Sequence, residues 1–124
     1  MAEVRLYGTT SAGGALSVEG EAAVCGELVA VVWIDGTFDN NVTAVISTID
    51  HEGASTLLTI GAGEGDNDEI FYPREIVHDM AADVLTGTAG GDRVKPLAVG
   101  TPKLVVAAGG NAKSGGCILY IKDL

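Results

Sequence analysis

Four carboxylates fall within six residues, Glu64, Asp66, Asp68 and Glu69. Calcium takes about six to eight oxygen ligands, and so acidic a loop can offer several of them. The spacing does not match the helix-loop-helix calcium motif, whose ligands run on to a distant glutamate. A solvated acidic loop is therefore the plainer expectation, and no metal ligand set is assigned. The two histidines are His51 and His78, and His78 has Glu75 and Asp79 close by in sequence, a grouping suited to proton transfer. No Gly-x-Ser-x-Gly elbow accompanies them, and neither Cys25 nor Cys117 has the surroundings of a nucleophile. Two glycine-rich stretches echo phosphate loops and fail in detail. Gly61-Ala-Gly63-Glu-Gly65-Asp66 lacks the last glycine of a dinucleotide fingerprint and runs into acidic residues that would repel a pyrophosphate. Ala107–Ser114 ends in Lys-Ser, but Ala107 and Ala112 stand where a phosphate loop needs glycine. The residues point to no cofactor and no enzymatic activity.

Glycine dominates the organisation of the chain. Eighteen glycines fall in clusters at Gly13-Gly14, Gly61–Gly65, Gly87–Gly91, Gly109-Gly110 and Gly115-Gly116, with runs rich in Val, Ile, Leu and Thr between them. Such punctuation predicts strands near residues 3–8, 15–20, 22–35, 42–50, 55–61, 69–72, 102–108 and 116–122. Without intervening helices to make crossovers, the fold expected is all-β, a sandwich or jelly roll in a single domain over residues 1–124. At most one short helix is expected, within Pro73–Leu85, where Ile76, Val77, Met80, Ala81, Val84 and Leu85 recur at helical spacing; an extended arm is the alternative. Gly87–Gly100 reads as a loop. The stretch Ala22–Asp35 is long for one strand, so a bulge or bend is expected at Gly26-Glu27, followed by a turn over Asp35–Asn41 and a hairpin into Val42–Asp50. The Gly109–Gly116 region reads as a hairpin loop. Leu104–Ala108 is apolar on both faces, as in a central or partner-covered strand, and Gly116–Lys122 reads as mostly buried. Cys25 and Cys117 are expected as two reduced core thiols, with a single disulfide as the alternative.

Composition narrows the partners. The chain has 124 residues, 7 Lys and Arg against 17 Asp and Glu, and a formal charge of −10. That excess of carboxylates argues against nucleic acid and against an anionic membrane surface. The N-terminus lacks a basic segment followed by an apolar core, and the longest apolar run, Leu28–Ile34, is far shorter than the roughly 20 residues of a spanning helix. A mean hydropathy above zero leaves more apolar surface than a small monomer easily covers, and a subunit interface is the natural place for it.

Several phrases resemble a broad set of small virion proteins of tailed bacteriophages. They are Trp33-Ile-Asp-Gly-Thr-Phe-Asp-Asn-Asn41, Phe71-Tyr-Pro-Arg74, Val77-His-Asp79, Leu85-Thr-Gly87 and Gly109-Gly-Asn-Ala-Lys-Ser-Gly-Gly-Cys117 with Ile-Leu-Tyr120 after it, spread over residues 30–120. The resemblance implies a structural part of the head or tail, foremost a capsid decoration (cement) protein made in the host cytoplasm and placed on the capsid exterior. It implies no catalytic residues. By analogy with lattice-decorating sandwiches, the expected partners are copies of itself, as a homotrimer, and the major capsid protein. The alternatives are a tail, neck or baseplate component, or a module binding a host surface or carbohydrate. The N-terminal residues 1–11 are the candidate arm for a neighbouring subunit, with Arg5 and Tyr7 as its interface residues.

Overall fold

The computed structural model describes residues 1–50, 53–76 and 93–123. Among the described residues ten strands form: β1 (Ala2–Thr9), β2 (Leu16–Glu19), β3 (Val24–Ile34), β4 (Thr43–Asp50), β5 (Gly53–Ile60), β6 (Glu69–Phe71), β7 (Glu75–Ile76), β8 (Arg93–Val94), β9 (Leu97–Ala107) and β10 (Ser114–Asp123). Eight of them make one antiparallel sheet, while β7 and β8 pair with each other. The protein is all-β and sandwich-like. No helix forms among the described residues. Of the segment expected to be helical, Glu75–Ile76 is a strand, and residues 77–85 lie outside the described residues.

The large sheet folds over on itself at β9. In one layer β10 lies between β1 and β3, and β6 borders the far side of β3. In the other, β9 lies between β2 and β4, with β5 beyond β4. The first residues of β9, Leu97–Gly100, pair with Glu27–Val24 of β3, and from Thr101 onward the strand pairs with β4. Gly100 sits at the transfer with φ +117, and a β-carbon there would come within 2.6 Å of the Ile49 carbonyl oxygen. Only glycine takes that backbone comfortably. The loop expected over Gly87–Gly100 is thus corrected at its end, because β3 supplies a partner for Leu97–Gly100 and Glu75–Ile76 one for Arg93–Val94.

Alternation drives the two layers together. Leu6, Cys117 and Trp33 form one inward cross-strand row; Val4, Leu119, Val31 and Phe71 form the next. Against them pack Ala44, Ile46, Leu57, Ile60, Leu104 and Val106 of the second layer. Both hairpin expectations are corrected. The turn after Ile34 leads from β3 to β4, and the glycine-rich loop after Ala107 leads from β9 to β10, but neither pair of strands is hydrogen-bonded together. Each connection crosses from one layer to the other. The bulge also moves: β3 runs unbroken through Gly26, and the extra residue is Val29, since Tyr120 pairs with Ala30 and Ile121 with Leu28. Gly26 instead allows close approach, because a β-carbon there would strike the Lys122 carbonyl of β10.

Cys117 is fully buried between Leu6 and Trp33, and burial pushes its thiol up to about 12, so it stays protonated. Cys25, expected in the core, is exposed on the outer face opposite Val99, because alternation turns it away from Leu28 and only the extra residue Val29 brings Val31 onto Leu28's inward face. Both thiols are free.

Candidate functional site

The acidic loop between β5 and β6 is tied down residue by residue. Glu64 Oε1 accepts the Gly61 N–H at 2.8 Å, Asp66 Oδ1 accepts the Asn41 N–H at 2.7 Å, and Asp68 Oδ1 accepts the Asp35 N–H at 2.8 Å. The loop backbone meets the core where the Trp33 indole N–H donates to the Gly65 carbonyl at 2.9 Å. These carboxylates satisfy main-chain donors of turns that otherwise lack partners. Among the described residues, no group of three or more His, Cys, Asp or Glu is placed to hold a metal ion. Asp35, whose buried Oδ1 has no partner, has its carboxyl raised above the ordinary value, first by burial and then by the negative charges of Asp68 and Asp66. His51, His78 and Asp79 lie outside the described residues.

Two of the phrases carrying the resemblance, Trp33–Asn41 and Gly109–Cys117, meet at one end of the sandwich, while Val77–Asp79 and Leu85–Gly87 lie outside the described residues. Thr37 and Ser114 exchange main-chain and hydroxyl bonds, with Thr37 N–H donating to the Ser114 carbonyl and Ser114 N–H donating to Thr37 Oγ1, both at 2.8 Å. Asp39 N–H donates to the Gly109 carbonyl at 3.0 Å, and Lys113 N–H donates to Thr10 Oγ1 at 2.9 Å. Phe38 stacks on Trp33 with ring centroids 5.7 Å apart. What looked like motifs in sequence are the two layer-crossing turns, locked to each other.

Arg5 and Tyr7 are brought together on β1, the Arg5 guanidinium lying 5.3 Å from the centre of the Tyr7 ring. The segment expected as an arm is here an edge strand, in register with β10 from Ala2–Ile121 to Thr9–Ser114. Beside its other edge a groove of about 530 Å³ opens between β1 and the turn from β2 to β3. Val4, Val18 and Val24 line it, with Glu3, Glu19 and Glu21 around them.

The outer face of the same layer is a feature that sequence reading passed over. Arg5, Ile118, Val32 and Ile70 make one cross-strand row; Glu3, Tyr120 and Ala30 make a second; Tyr7, Gly116 and Ile34 make a third. Ile70 is 51 % exposed, Tyr7 42 %, and Tyr72, two residues beyond Ile70, 62 %. Ile118 and Tyr120, on a strand expected to be mostly buried, are partly exposed because β10 is central within its layer and no other described strand covers this side. The signal was the unbroken apolar run Leu28–Ile34, which makes both faces of β3 apolar while only one can face the core.

Comparison with protein-family models, with curated proteins and with solved structures finds no match to this chain. No helix among the described residues is long and apolar enough to cross a membrane.

Proposed function

We propose that this chain is a structural virion protein of a tailed bacteriophage, a head decoration protein that docks on the major capsid protein from outside and acts as a small homo-oligomer, most simply a trimer. One observation carries the reading: the outer face of β1, β10, β3 and β6, which no other described strand covers, with Tyr7, Tyr120, Val32, Ile34, Ile118 and Ile70 in adjacent rows. An apolar patch rich in tyrosine and rimmed by charge is the composition of a protein interface. Its charged members are Glu3 and Arg5 on the edge strand and the cross-strand neighbours Lys122 and Glu27 in the row at one end of the face, rather than at the centre. A net charge of −10 favours a place on the outer surface over contact with packaged DNA. The resemblance to small virion proteins supplies the biological setting.

A carbohydrate-binding module would also use tyrosines. Sugar hydroxyls need several fixed polar groups between the rings, however, and here the intervening residues are Ile118, Val32, Ala30 and Ile34. The apolar docking face is the better account.

The test is addition of purified protein to undecorated heads. Saturable, stoichiometric binding that persists in about 1 M salt, where the Debye length is near 3 Å, is expected for an apolar contact. Binding to tails alone, or to neither structure, overturns the proposal.

A further inference from the structure

We infer that the groove beside β1 receives an extended protein segment carrying Lys or Arg at alternate positions, which pairs with the free edge of β1. This inference stands apart from attachment to a head, since it rests on the groove alone. Among the described residues β1 is hydrogen-bonded as a strand only to β10, so its second edge presents main-chain donors and acceptors that no described strand pairs. Near Gly8 the groove ends because β2 fills the inner face of β1: a β-carbon on Gly8 would come within 2.9 Å of Leu16 Cδ1 and 3.3 Å of Val18 Cγ2. The open length is therefore Glu3–Tyr7, about 17 Å at the rise of an antiparallel strand, enough for five extended residues.

The lining specifies the side chains. Val4, Val18 and Val24 belong to three different strands and form an apolar lining, suited to small aliphatic groups on one face of an added strand. Around it stand three carboxylates, Glu3, Glu19 and Glu21. Among the described residues Arg5 is the one cation lining the groove, and its guanidinium lies against Tyr7. Glu19 faces Lys103 at 3.9 Å, whereas no ion pair engages Glu3 or Glu21 among the described residues. The groove thus has surplus negative charge beside main-chain partners for a strand. An alternating cationic and aliphatic segment satisfies both at once; an acidic segment meets repulsion.

The probe is the pentapeptide acetyl-Lys-Val-Lys-Val-Lys-amide, titrated into the intact chain and followed by amide chemical shifts. Shifts confined to Glu3–Tyr7 and Val18–Val24 are expected, with affinity falling at least about tenfold in the Glu3→Gln/Glu21→Gln double variant. A peptide with alternate backbone N-methyl groups should also bind at least about tenfold more weakly, because it cannot complete the strand. Equal binding of the Glu-Val-Glu-Val-Glu peptide overturns the charge argument. Equal binding of the N-methylated peptide, or of spermidine, overturns strand addition and leaves a simple counterion site. No shift with the Lys-Val peptide overturns the inference altogether. Both glutamines replace groove-rim side chains outside the buried core, and an unchanged near-ultraviolet spectrum checks that the double variant is folded.

Discussion

Trp33 joins three parts of the molecule. Its ring is fully buried in the row with Leu6 and Cys117, it stacks on Phe38 of the turn after β3, and its N–H holds the acidic loop through Gly65. Trp33→Ala removes all three links. Truncating a buried aromatic costs about 3–5 kcal/mol, a large part of the roughly 5–15 kcal/mol that stabilises a domain. Urea unfolding should register that loss; a change below about 1 kcal/mol would mean the ring is not a core element. Asp35 works in the opposite sense. Its folded carboxyl holds a proton more tightly than the unfolded one, because of burial and then the charges of Asp68 and Asp66. Stability from this group therefore falls as pH rises from the unfolded value, about 4, through the raised folded value. Above that window the ionised, partly buried carboxylate is a standing cost. Asp35→Asn should be more stable than the parent at pH 7, and the advantage should shrink as pH falls through the raised folded value toward about 4. Urea midpoints at both pH values measure it, and an advantage independent of pH would dismiss the ionisation account.

At the scale of elements, β9 decides the architecture. It is eleven residues long, and a single glycine lets it leave β3 and join β4. Gly100→Ala forces a β-carbon toward the Ile49 carbonyl at a φ of +117 that side chains avoid. Backbone strain of that kind costs about 1–3 kcal/mol before any steric term. The variant should lose at least about 2 kcal/mol by urea unfolding. A neutral result would show that β9 can cross between layers without this kink. Gly13 offers a control, since a β-carbon there meets nothing within 4 Å.

For the molecule as a whole, charge and apolar surface are segregated. The acidic loop caps turns at one place, while the outer face of the β1–β10–β3–β6 layer keeps its centre uncharged. The double variant Ile70→Ser/Tyr72→Ser changes two well-exposed side chains, so stability should move by no more than about 0.5 kcal/mol per site. Attachment to heads should weaken at least about tenfold if this face docks. Undiminished attachment by the folded variant would place the contact elsewhere on the molecule.

Most strand positions and the all-β class were legible in the chain itself, because glycine clusters and period-two alternation are local properties of sequence; β7, β8 and the start of β9 were not. Trp33 at the end of an apolar run and the turn over Asp35–Asn41 were legible for the same reason. Pairing was not. The turn Asp35–Asn41 reads as a hairpin, yet it carries the chain from one layer to the other, and so does the loop after Ala107. Turn chemistry determines that the backbone reverses, while the burial of both layers' inner faces against each other determines where it lands. The bulge at Val29 and the exposure of Cys25 follow from register with β10 and β9, set by partners roughly 70 to 95 residues away in sequence. The groove and the outer apolar face arise the same way: their residues come from strands far apart in the chain, and only long-range pairing makes them neighbours.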